Sequence, residues 1–438
     1  MQTKSKMKAL TGVLAFSLAA GALAGCSSGK EDNGGNAASA GSPSASAGSS
    51  PSADQKVSLS VWAMGDEATP VEDLAKAFEK DHPNFKIDVQ AIPWGNAHDK
   101  LLTAVASKKG PDIIQMGTTW MPEFVAAKAL MDLTPYLDQY PGIAPENYFE
   151  GSVNTAKIDG GYYGVPWYVE SRALYYRTDA LQKVGYNEAP KTWDELKDAS
   201  KKLHARGQGK YGLQIDVNES TLGFMFARQN GAKLLDDQGM PQFDKPEFTE
   251  AIEYLNSFIQ DGDSPVDLGL DLTQTFGGDD PMVPMFISGP WMIKTIQDTI
   301  PDIKGKWSVA LLPSGKAGNL SSLGGSNLSI FQYTKNKDAA LQFVSYLGSP
   351  EAELSYMKAT TSLPAAKAAW DDPSLNNDPI YKVFGEQTQN AEPMPLVKPW
   401  EEIAGDYLKS FERIYRSHAD VKKEMEQLNK TAADLLSK

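Results

Sequence analysis

From Val57 onward the chain alternates strand and helix patterns at short intervals, and this rhythm restricts it to sheets flanked by helices. Val57, Leu59 and Val61 alternate with polar residues up to Trp62, the period of a half-buried strand, and Gly65 breaks the pattern. Thr69-Pro70-Val71-Glu72 then has capping-box spacing with proline at the first helical position, and Val71, Leu74, Ala75 and Phe78 share one helical face. Residues 85–92 read as the next strand, 98–106 as the next helix and 111–116 as a short buried strand. A second capping box, Thr192 with Glu195, opens a helix through Leu196, Ala199 and Leu203 that Gly207 ends. Strands are expected over 211–215 and 307–312, and helices over 248–259 and 404–436. No internal repeat argues for a solenoid or propeller.

Size sets the number of cores. The chain has 438 residues, and even without its N-terminal segments it exceeds the roughly 250–300 residues at which single cores stop growing. Two lobes are expected. The net charge of −14 argues against nucleic acid, whose phosphates are bound by clustered Lys and Arg. The four histidines, His82, His98, His204 and His418, lack ligand spacing, so no metal site is expected and they read as surface residues. No cofactor is implied.

The N-terminus reads as an address. Lys4, Lys6 and Lys8 precede an apolar stretch ending at Ala24 that is too short to anchor as a spanning helix, as in a secretory signal. Leu23-Ala24-Gly25-Cys26 places small residues before the only cysteine of the chain. This resembles a bacterial lipobox, which implies a signal peptide over 1–25 and a lipid on Cys26. Residues 26–56 are mostly Ser, Ala, Gly, Asn and Pro, the composition of a flexible tether. The folded part is then held at the cell membrane, facing outside the cytoplasm.

Tryptophans gather just after the expected strands and in Gly- or Pro-rich turns: Trp62, Trp94, Trp120, Trp167, Trp291 and Trp400. Ligands of open α/β sheets bind beyond the carboxyl ends of strands, so aromatic residues there can line a cleft. A pyranose offers an apolar C–H face to an indole and a rim of hydroxyls that need hydrogen-bond partners. Asp66 and Glu67, Thr118 and Thr119, and Glu170 and Arg172 stand beside these aromatics, and charged groups make the stronger bonds to hydroxyls. No phosphate loop, nucleophile elbow or His-Glu-x-x-His helix occurs. A hydrolytic carboxylate pair stays open at this level, because the separation of two acids is a spatial property.

Several segments together resemble the extracellular solute-binding proteins of carbohydrate ABC importers, the group that includes maltose-binding protein. They are Gly110-Pro-Asp-Ile-Ile-Gln-Met, Tyr163-Gly-Val-Pro-Trp-Tyr-Val-Glu with Leu174-Tyr-Tyr-Arg, Pro190-Lys-Thr-Trp-Asp-Glu-Leu and Ile287-Ser-Gly-Pro-Trp. The resemblance implies a two-lobed periplasmic-binding-protein-like α/β fold, each lobe a mainly parallel sheet flanked by helices, with the ligand between them. Residues 57–165 and 321–362 would form lobe 1, and 166–320 with 363–438 lobe 2. It also implies contact roles for Asp66 and Glu67, for Thr118, Thr119 and Trp120, for Glu170, Trp291 and Trp400, for Glu219, and for the turn holding Gly325 and Asn327. Glu67 and the Thr118-Thr119-Trp120 turn depart from the maltodextrin branch, and a di- or oligosaccharide is expected. The partners implied are a carbohydrate and the permease subunits of an importer, with a monomeric receptor and no catalysis. The rival readings are a secreted glycoside hydrolase with a Trp-lined carboxylate cleft, and a peptide-binding or adhesin lipoprotein.

Overall fold

The computed structural model describes residues 56–65, 68–266 and 268–438. The expected signal, tether and Cys26, together with Asp66 and Glu67, lie outside the described residues.

Three strands come first, β1 (Val57–Met64), β2 (Phe85–Ile92) and β3 (Ile113–Gly117). A small antiparallel hairpin, β4 (Lys157–Ile158) and β5 (Gly161–Tyr162), precedes β6 (Val165–Glu170) and β7 (Ala173–Arg177). Then follow β8 (Met285–Ser288), β9 (Trp307–Ala310), β10 (Ser321–Ile330), β11 (Leu363–Pro364) and β12 (Ala391–Pro393). The large sheet runs β11-β6-β10-β3-β1-β2, with β12 also pairing β10, and the small one runs β8-β7-β9. The protein is thus two-lobed and α/β, with one main sheet to each lobe and the β4-β5 hairpin as a separate two-stranded sheet. β1 pairs in parallel with β2 from Val57↔Phe85 to Met64↔Ile92 and with β3 at Val61↔Ile113. β10 enters antiparallel to both β3 and β6. The small sheet is antiparallel throughout, where a mainly parallel one was expected.

Helices lie where the sequence shows an apolar face, but several of their ends differ from the capping signals. The helix Ala68–Asp81 buries Val71, Leu74, Ala75 and Phe78 against the large sheet. It begins at Ala68, so Thr69 and Pro70 occupy its first turn and do not cap it. The helix Trp94–Ser107 starts four positions before the expected one, so Trp94 is helical. Thr192 does cap Trp193–His204, its hydroxyl accepting from the Glu195 amide at 3.2 Å, but Glu195 Oε2 returns to the amide of Lys191, at 2.7 Å. Residues 211–215 form no strand beyond a bridge at Gln214, because Tyr211 donates to Met282 O and Gly212 to Asp263 O. The C-terminal helix is two, Trp400–Ser417 and Val421–Leu436, separated where His418 turns left-handed (φ 52°) and Asp420 caps the second. Of the four histidines, only His418 is well exposed; His82 stacks on Phe78 at 4.1 Å and His204 Nδ1 meets Lys210 O at 2.7 Å.

Candidate functional site

A cavity of about 1030 Å³ opens where the carboxyl ends of the parallel strands face the small-sheet lobe. One side is built by the Gly117–Trp120 turn after β3, Glu170 at the end of β6, the first residues of β10 and the start of the helix Ala68–Asp81. The other is built by Arg172, Thr221 and the helix Trp291–Thr299. Beneath it, Gln115 accepts from the Met64 amide at 2.9 Å and donates to Tyr168 Oη at 3.1 Å, while Ser326 Oγ donates to Tyr168 Oη at 2.9 Å. This buried polar network joins β1, β3, β6 and β10 into a stiff floor. Gly325 there has φ 125°, and a Cβ would lie 2.1 Å from Tyr168 O, so only glycine fits.

At one end stand Trp94 and Trp120, edge to face with centroids 5.6 Å apart. Trp94 is 38% exposed, whereas Trp120 is 8% exposed and lies over Gly117, where a Cβ would come within 3.1 Å of its ring. His98 packs edge-on to Trp120 at 5.4 Å and pairs through Nε2 with Glu123 Oε2 at 2.8 Å. Thr118 and Thr119 add hydroxyls beside the rings.

The other end is charged. Trp291 opens its helix directly after Gly289-Pro290, and its ring lies so close to Gly289 that a Cβ there would meet it at 1.9 Å. The Arg172 guanidinium sits 4.7 Å from the Trp291 ring centre. Its Nε and Nη2 donate to Glu219 Oε1 at 2.8 and 2.6 Å, and Nη1 lies 3.8 Å from Glu170 Oε2. Burial works to lower the Arg172 pKa, but Glu219 and then Glu170 outweigh it and hold the pKa above its ordinary value.

Of the residues singled out from sequence, Trp94, Thr118, Thr119, Trp120, Glu170, Arg172, Trp291 and Gly325 line this cavity. Glu219 joins them through Arg172. Four do not fit the expectation. Trp167 is 1% exposed, its ring 4.2 Å from that of Tyr356 in the large-sheet core. Trp400 is 2% exposed and packs on Phe224 at 4.8 Å, since helix Trp400–Ser417 turns its apolar face inward. Asn327 is buried and donates through Nδ2 to Thr155 Oγ1 at 3.0 Å. Trp62 points from β1 to the helix Trp94–Ser107, with Lys100 Nζ 4.3 Å over its ring.

Lining residues also come from two polar helix faces that carry no aromatic or turn signal of their own. Lys294, Thr295, Asp298 and Thr299 follow Trp291 at the spacings of one helical stripe, and Thr69, Pro70 and Asp73 share a face of the first helix. A polar stripe behind a tryptophan was the available signal. Among the described residues, no group of three or more His, Cys, Asp or Glu side chains is placed to hold a metal ion.

Two sheet-based lobes with a large cavity between them, lined by aromatic, hydroxyl and charged side chains, define a ligand-binding receptor of the two-lobed α/β class. The chain belongs to the bacterial extracellular solute-binding protein family, whose pattern matches residues 64–354. The sugar-binding protein MalE from Xanthomonas citri is 32% identical, with a TM-score of 0.79 over 87% of this chain and 98% of that one. The galactooligosaccharide-binding protein of Bacillus subtilis is 25% identical over 390 residues, 85% of this chain and 88% of its own length. The maltotriose-binding protein of Pyrococcus abyssi is 25% identical over 357 residues, 80% of this chain and 76% of its own.

Proposed function

We propose that this protein captures a carbohydrate, a di- or oligosaccharide, outside the cytoplasm and delivers it to the membrane subunits of an ATP-driven importer. The observation that carries this reading is one cavity holding both an exposed indole, Trp94, and a second, Trp291, among hydroxyl and charged side chains. Indoles match the apolar faces of sugar rings, and the polar stripe of helix Trp291–Thr299 matches their hydroxyl rims. The relatives named for galactooligosaccharide and maltotriose support the same class.

Sugar contacting both lobes stabilises a closed form through contacts absent from the open one. In this reading the lobe built on the large sheet, which keeps β6 and β11 and so extends past the expected boundaries at 165 and 362, moves against the lobe built on the small sheet, and Asp66 and Glu67 join the ligand contacts. The receptor works as a monomer. A lipid on Cys26 and the 26–56 tether keep it near the permease, which raises its local concentration without any strong protein contact.

A thermal-shift screen of maltotriose, galactooligosaccharides and peptides tests the reading, because a ligand of the folded form raises Tm. A rise with an oligosaccharide and none with peptides is expected. Stabilisation by peptides alone, or cleavage products after incubation with the sugars, would overturn it.

A further inference from the structure

Arg172 stands on the short link between β6 and β7, and a single hydroxyl holds its backbone on both sides. Its amide donates to Ser321 Oγ at 2.8 Å, and Ser321 Oγ donates to its carbonyl at 3.0 Å. Ser321 begins β10, so two links between the sheets meet at this point. From that base the side chain makes three kinds of contact at once: the paired bonds to Glu219, the ion pair with Glu170 and the stack on Trp291. Those partners come from three separate elements: the residue before helix Ser220–Gln229, the end of β6 and the start of helix Trp291–Thr299. A planar guanidinium offers a hydrogen-bonding fork and a stacking face together, which an ammonium cannot.

The cluster is also sheltered, with side-chain exposures of 13% for Arg172 and 20% for Glu219. Removing one member of a pair so placed leaves the other charge uncompensated, so an uncharged ligand has little means of displacing Arg172. We infer that Arg172 is a positioning residue, which sets the plane of the Trp291 indole and the carboxylate of Glu219 as one rigid wall before any ligand arrives. A wall ordered in advance spares the ligand the entropy of ordering it. The ligand side of this inference rests on the carbohydrate reading above; the wall itself does not.

Acrylamide quenching of the full-length protein, without sugar, tests the wall directly. The contribution of Trp291 is isolated by comparing each protein with its Trp291→Phe counterpart. In Arg172→Met that contribution is expected to quench about two- to fivefold more readily, the scale of one lost cation–π contact. Arg172→Lys keeps the charge without the fork and is expected to leave quenching raised. Tm is expected to fall, because Glu219 loses its partner, but the quenching of the remaining tryptophans should not move, which separates positioning from general loosening. Should Arg172→Met fail to fold, Glu219→Gln loosens the same wall from its other end and is expected to raise the same signal. An unchanged Trp291 contribution in the variant that folds overturns the inference. Calorimetry with maltotriose as the probe adds the functional arm, with affinity expected to fall about tenfold in Arg172→Met. Equal or tighter binding by that variant overturns it as well. Failure of the parent to bind any sugar counts against the carbohydrate reading, and the quenching result then decides the role of Arg172 alone.

Discussion

The two ends of the cavity hold their tryptophans by different physics. Trp94 and Trp120 lean edge to face, with His98 packed on Trp120 and Trp94 left partly open to water. Trp291 is fixed by charge, under a guanidinium that two carboxylates hold in place. Packing without directional bonds allows small adjustments of a ring, whereas a salt-bridged stack allows one arrangement. The first end is therefore the adaptable one, suited to ligands of varying length, and the second is the fixed reference against which a ligand is aligned.

Trp167 supplies the outside standard for this contrast, since it belongs to neither end. Trp167→Ala is expected to lower folding stability by about 3–5 kcal/mol, as for other buried large aromatics, read as a shift of the urea midpoint. A midpoint close to that of the parent would put this indole outside the core. Trp291→Ala is expected to weaken sugar binding by roughly 30-fold or more, the range of a hot spot, in calorimetric titration. Trp94→Ala should cost about tenfold, because its exposed ring forgoes less burial. A larger loss at Trp94 than at Trp291 would reverse the assignment of fixed and adaptable ends.

The smallest effect concerns the helix Pro350–Thr360, which carries Thr360 to the cavity rim. Its Glu353 is buried, and burial drives the pKa well above the ordinary carboxylate range against the opposing hydrogen bond from the Ala366 amide at 2.7 Å. The folded chain thus holds this proton more tightly than the unfolded chain. Stability falls as pH rises above the usual glutamate pKa of about 4.3 and goes on falling until the folded-state pKa is passed. Glu353→Gln removes that slope. Parent and variant should match below pH ~4, and the variant should be more stable at pH 8 by about 1 kcal/mol or more, a tenfold difference in proton affinity being worth about 1.4 kcal/mol. Parallel pH curves would show that Glu353 ionises freely in the folded protein.

β1, β2 and the two helices beside them were legible because each shows one period against a sheet, and β3 because its apolar run is short. Trp167 was not. β6 is buried on both faces, so alternation carries no hint of which side chains reach a cleft. The break at His418 was hidden for a related reason: a non-glycine residue took the left-handed position, and the apolar stripe continued across it. At the site, turns after strands led to Trp120 and Glu170, but the pairing of Arg172 with Glu219 spans two elements and leaves no local trace. The stripe behind Trp291 is written in the sequence as polar residues at helical spacing, Lys294, Thr295, Asp298 and Thr299.

β10 sits in the middle of the large sheet although it is made late in the chain. A nascent polypeptide that has emerged only as far as β9 bears two open borders, on β3 and on β6, with nothing to lie between them. Completion waits on a distant partner, and such non-local closure is slow. The large sheet is therefore joined into one only when its central strand has been made.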